Sequence, residues 1–223
     1  AEGMNPDVRS TVGEAVRVLE SCGAKVVQVH LPHTSHAVAV YYLIAPSEAS
    51  ANLARFDGIR YGFRAEGYED LLDLYEKSRS EGFGDEVKLR ILIGTYALSS
   101  GYYDAYYLKA LKVRNLIARD FEEAFRSCDV IAAPVAPSPP CALNFAEGNP
   151  LAMYLADIFT ISANLAGIPG ISVPCGFSRA GLPIGFQLLG KAFDEGTVLK
   201  VAHAYEKEAA LHIPLAEPGE RKS

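Results

Sequence analysis

Three signatures of common enzyme chemistry are missing from this sequence. Neither GxGxxG nor GxxxxGK followed by Ser or Thr occurs, so no glycine-rich loop is present to cradle a phosphate. No GxSxG nucleophile elbow occurs either. The cysteines Cys22, Cys128, Cys141 and Cys175 form no CxxC pair. Small secreted proteins built on disulfides look different, so reduced thiols in a cytoplasmic compartment, bacterial or organellar, are expected. Positive charge is not in excess: the net charge of -6 argues against a nucleic-acid surface as the main business of the chain. No apolar run approaches the ~20 residues that span a bilayer, since the longest, residues 37–46, ends in proline. The polar opening AEGMNPD does not read as a secretory leader. A start at alanine raises the expectation of a piece of something larger.

What is present is ordinary soluble composition, 49% hydrophobic and 22% charged over 223 residues, enough for one sizeable core. Asn5 and Pro6 suit the start of a helix with Val8, Val12, Ala15, Val16 and Leu19 at helical spacing, closed near Gly23. KVVQVHL, residues 25–31, predicts a strand. Pro46 predicts a kink, or two short helices, in the segment that begins at Tyr41. Residues 69–79 predict a polar surface helix. Asp85 is placed to cap the next helix, whose apolar seam is Val87, Ile91, Gly94 and Leu98. Leu89, Leu92, Ile93, Tyr96 and Ala97 extend that apolar surface. A long amphipathic helix is expected over residues 104–126, and strands over 129–134, 171–177 and 183–190, the last two as a hairpin. Asp194 caps a final helix. Alternating helices and strands predict an α/β fold, a mixed sheet covered by helices.

Candidate sites are few. His30, His33 and His36 recur at three-residue steps, but the run crosses a strand end and a proline, and no acidic or thiol ligand is interleaved. Loop histidines are expected there rather than a metal centre. Ser99, Ser100 and Gly101 close an apolar helix without a nearby base, and they read as a helix end. Asp157 is different. It is the only charged side chain between Glu147 and Arg179 and sits among Leu151, Met153, Tyr154, Leu155, Ile158, Phe159 and Ile161. A buried helix is expected there, and a buried carboxylate needs a partner. The alternatives are a ligand-binding carboxylate and a structural ion pair. Arg90 lies at helical spacing beside the small Gly94 and Ala97, where its planar fork could take a carboxylate, or where its head could reach water. An amino acid carries one carboxylate and one ammonium, which Arg90 and Asp157 complement.

The runs YYLIAPSEASANLARFDGIRYG, FGDEVKLRILIGTYALSSGYYDAYY, NLAGIPGISVP and GLPIGFQLLG resemble the amidase signature family. The first of these points to its branch of glutamine-hydrolysing subunits of tRNA-dependent amidotransferases. The resemblance covers nearly the whole chain and implies the C-terminal part of a single amidase-signature domain, residues 1–223. It implies glutamine as substrate, held by Tyr41, Arg90 and Asp157, with arginine on the carboxylate and aspartate on the ammonium. Tyr41 rests on the resemblance alone. The family's Ser–Ser–Lys triad lies in a Gly/Ser-rich signature that does not occur here, so no catalytic residue and no cofactor is expected in this chain. The implied partners are the B and C subunits of the amidotransferase and glutamyl-tRNA(Gln). The B subunit would use ATP and Mg2+, and ammonia would pass to it. The alternatives are another amide hydrolase of the family and a non-catalytic assembly piece.

Overall fold

The computed structural model describes residues 4–141 and 156–211. They fall into two compact units, Ala1–Leu31 with Asp120–Ser223, and Pro32–Arg119.

The first unit is built on an antiparallel sheet. Helix α1 spans Pro6–Ser21, and Asn5 caps it by accepting a 2.8 Å hydrogen bond from the Asp7 N–H. Its stripe Val8, Val12, Ala15 and Leu19 is buried, as the helical spacing requires. Strand β1 is Val130–Pro134, β2 is Gly170–Phe177 and β3 is Pro183–Gly190. The order is β1-β3-β2, with both pairings antiparallel. The expected hairpin is β2–β3, turned at Ser178 to Gly181, where the Gly181 N–H donates to the Ser178 carbonyl. Pro174 has no N–H to give the ladder, and the register shifts between Pro174 and Gly176. The final helix of this unit, Glu195–Ala209, is capped by Asp194 as expected. It buries Val198, Ala202 and Tyr205 against Phe186 and Leu188 of β3.

Two expectations for this unit need correction. Residues 25–31 form no paired strand. Among the described residues no strand pairs with them, although they share a cavity with Val130, Ile131 and Ala132 of β1, and Val26 and Val27 stay exposed. Period-two patterning makes a strand only where a neighbour supplies hydrogen bonds. The second correction concerns Asp157. It is exposed, in a turn that precedes a short helix, Ile161–Ala166. Residues 151–155, the rest of the expected buried helix, lie outside the described residues. Because residues 157–160 form turns rather than helix, helical spacing does not set which way Asp157 faces. The short helix ends at Gly167 with φ 71°, a left-handed conformation that glycine takes without penalty.

The second unit is helical. Helix α2 spans Ala37–Leu53, α3 Leu71–Gly82 and α4 Asp85–Ala97. Residues Tyr103–Leu108 form a π-helical turn that leads into α5, Lys109–Ala124, in place of one uninterrupted helix, and from Asp120 on α5 belongs to the first unit. Asp85 is the first residue of α4 rather than its cap; Gly84 occupies the cap, and Asp85 pairs with Lys88 at 2.8 Å. Pro46 does not break α2, which runs through it unbroken. Helix α4 packs closely on this stretch. Gly94 and Ala97 are its buried residues, and Gly94 meets the buried Pro46 backbone directly. A Cβ at position 94 would overlap the Pro46 carbonyl oxygen and stand 2.8 Å from Ser50 Cβ. Ser50 Oγ and Thr95 Oγ1 then hydrogen-bond at 2.8 Å between the two helices. The outer face of α4 is apolar and uncovered among the described residues: Leu89, Leu92, Ile93 and Tyr96 are all exposed.

Gly94→Ala should therefore force α2 and α4 apart. Overpacking of this kind costs about 1–3 kcal/mol, so urea unfolding should show a loss in that range, and a loss under ~0.5 kcal/mol would contradict the close approach. The first unit carries a pH signature. Burial pushes the Cys175 thiol from 9.0 up to about 11. The unfolded chain releases that proton first, so stability should fall as pH rises from about 9 and level off near 11. Thermal melts of Cys175→Ala should lack this part of the slope; an unchanged slope would mean that the thiol does not titrate in the core.

Candidate functional site

Tyr41 lies in the first turns of α2, and Arg90 lies one turn before Gly94 on α4. A residue four positions earlier on a helix shares its face. The Gly94–Pro46 approach therefore also presents Arg90 toward α2. Arg90 Nη1 donates a 2.9 Å hydrogen bond to the Tyr41 hydroxyl oxygen across 49 residues of sequence. Its Nε donates to Glu86 Oε1 at 2.8 Å, one helical turn earlier. Arg90 is about one-third exposed, at 32%. The contacts to Glu86 and then to Tyr41 hold its guanidinium more firmly protonated than usual. The cation is permanent, and among the described residues Nη2 keeps its donors for a planar anion.

The structure thus joins two of the three sequence-derived site residues, Tyr41 and Arg90. Asp157 belongs to the other unit. Its backbone carbonyl accepts from the Thr160 and Ile161 N–H groups at 3.0 Å each. Among the described residues, its carboxylate has no ion-pair or hydrogen-bond partner. The ion-pair alternative therefore finds no support among them. Ala156, its neighbour, lines an apolar cavity of about 780 Å³ with Val135, Ser138, Cys141, Ser172 and Pro174.

Glu86 was not singled out from the sequence. Its signal was the i,i+4 spacing to Arg90, which places a carboxylate next to a guanidinium on any helix. Among the described residues, no group of three His, Cys, Asp or Glu side chains could hold a metal ion.

Comparison with known proteins sets this geometry in a family. The amidase family model matches residues 1–199. The A subunit of the glutamyl-tRNA(Gln) amidotransferase of Syntrophus aciditrophicus is 57% identical over 97% of this chain and 44% of its own length. The corresponding A subunit of Geobacter metallireducens is 58% identical over 96% of this chain and 44% of its own. The chain thus spans less than half the length of these curated relatives. The crystal structure of the A subunit from Thermotoga maritima superposes with a TM-score of 0.69 at 41% identity, covering 92% of this chain and 40% of that one. An allophanate hydrolase of Kluyveromyces lactis superposes with a TM-score of 0.71 at 22% identity, covering 92% of this chain and 30% of that one, a likeness of fold alone. The expected α/β class stands, although both pairings among the described strands are antiparallel. By the family match over most of its length, this chain belongs to the amidase family.

Proposed function

We propose that this chain is the C-terminal, glutamine-holding portion of the A subunit of a glutamyl-tRNA(Gln) amidotransferase. The observation that carries this reading is the Tyr41–Arg90 hydrogen bond at 2.9 Å. Two residues assigned to one ligand on resemblance meet in space through helices far apart in sequence. The fork of Arg90 takes the α-carboxylate of glutamine, steadied by Tyr41. Asp157, a carboxylate without a partner among the described residues, takes the α-ammonium. A substrate oriented by its charged groups presents its side-chain amide to the serine–serine–lysine machinery that the rest of the domain supplies. Fixing the substrate in this way is itself a source of rate, because it removes orientational freedom before reaction.

Released ammonia passes to the B subunit, where ATP and Mg2+ activate glutamyl-tRNA(Gln), with the C subunit as the third component. The residues of this chain bind and orient; they neither attack nor transfer a proton. Work in the cytoplasm or an organelle matrix fits the unpaired thiols, Cys22, Cys128, Cys141 and Cys175.

In the complete enzyme, Arg90→Ala and Asp157→Ala should each lower kcat/KM for glutamine by about thirtyfold or more, the scale of a lost charge-assisted contact of ~2 kcal/mol. Asp157→Asn keeps the shape without the charge and should fail similarly. Full activity in Asp157→Asn would refute its role on the ammonium. The same substitutions should leave the fold intact. Arg90→Ala and Tyr41→Phe should each cost under about 1.5 kcal/mol in unfolding, because the guanidinium is partly exposed. Losses above ~3 kcal/mol would make the pair a structural brace instead. The 223-residue chain alone should release no ammonia from glutamine.

A further inference from the structure

Arg90 has three nitrogens, and the structure uses them unequally. Nε is taken by Glu86 and Nη1 by Tyr41. Among the described residues Nη2 has no partner, and no buried side-chain nitrogen or oxygen lacks one, so Nη2 reaches solvent. Glu86 thus grips one edge of the guanidinium plane and Tyr41 the Nη1 end. A plane held at two points has a fixed orientation, and Nη2 is left with its donors free among the described residues. Arginine carries much rotamer freedom, and a free arginine would surrender it when the ligand binds.

We propose that Glu86 is a positioning residue that holds the Arg90 fork in the orientation that takes the substrate carboxylate. The proposal rests on the glutamine reading above. Glu86 itself is 63% exposed, so its pairing with Arg90 adds little to stability. What it adds is order in the empty site. Its charge also works against it, since a second carboxylate beside Arg90 repels the first. The two effects predict opposite changes. If orientation dominates, removing Glu86 weakens glutamine binding; if repulsion dominates, removal strengthens it. Orientation needs only an acceptor oxygen on Nε, which a glutamine side chain at position 86 also offers.

The test is steady-state glutaminase kinetics on the complete enzyme with Glu86→Ala, Glu86→Gln and Arg90→Ala, each checked for an unchanged melting profile. Glu86→Ala should raise KM for glutamine about two- to tenfold, the scale of immobilising one rotamer-rich side chain. Its kcat should stay within about twofold, and Glu86→Gln should restore KM to near the parent value. An unchanged or lowered KM in Glu86→Ala overturns the proposal. So does an equal rise in both Glu86 variants, which would make charge rather than orientation the cause. Arg90→Ala separates the layers: if it leaves glutamine KM and kcat/KM untouched, the glutamine reading itself fails, whatever the Glu86 variants do.

Discussion

The close approach of α4 to α2 at Gly94 governs the unit that holds Tyr41 and Arg90. Pro46 lacks the N–H that an interior helical residue would donate, and proline inside a helix costs ~3 kcal/mol or more. The chain keeps α2 continuous through it nonetheless, with Pro46 almost fully buried. Gly94 carries no side chain, so the α4 backbone lies directly on the Pro46 carbonyl. The Ser50–Thr95 hydrogen bond then sets the register of one helix on the other. With contact and register fixed, Tyr41 and Arg90 meet at 2.9 Å without further provision. The site geometry is thus a consequence of backbone packing.

The two charges assigned to the substrate differ in how they are kept ready. Arg90 is partnered on two of its nitrogens and oriented. Asp157 is exposed, tied down through its backbone carbonyl, with its carboxylate left over among the described residues. Neither is buried, so neither bears the several-kcal/mol desolvation cost of an ion in the protein interior. That suits groups that must exchange water for a ligand and then release it.

Much of this was legible in the sequence where local chemistry decides the outcome. Asn5 and Asp194 cap the helices they were expected to cap, and the turn from Ser178 to Gly181 joins the hairpin. The stripes Val8–Val12–Ala15–Leu19 and Val198–Ala202–Tyr205 are buried as their spacing requires. Expectations failed where the outcome depends on a neighbour. Residues 25–31 have strand composition but pair with no strand among the described residues. Pro46 was expected to kink α2 or divide it into two short helices, and the helix is continuous through it. Asp157 was placed on a buried helix by counting apolar neighbours, and it is exposed in the turn over residues 157–160. In the site, Arg90 was visible from the small residues beside it. Tyr41 was not, because nothing local marks a tyrosine as the partner of an arginine 49 residues on.

The central claim is that the Arg90 fork, held by α2 and α4, recognises the carboxylate of glutamine. The most direct measurement pairs a substitution with a truncated substrate, as in a double-mutant cycle. Glutamine and 4-aminobutanamide, which keeps the ammonium and amide but lacks the carboxylate, are compared on the complete parent enzyme and on Arg90→Ala. The account predicts that Arg90→Ala sharply lowers kcat/KM for glutamine and leaves that for 4-aminobutanamide nearly unchanged. An equal loss on both substrates would contradict it, because Arg90 would then be acting on something other than the carboxylate.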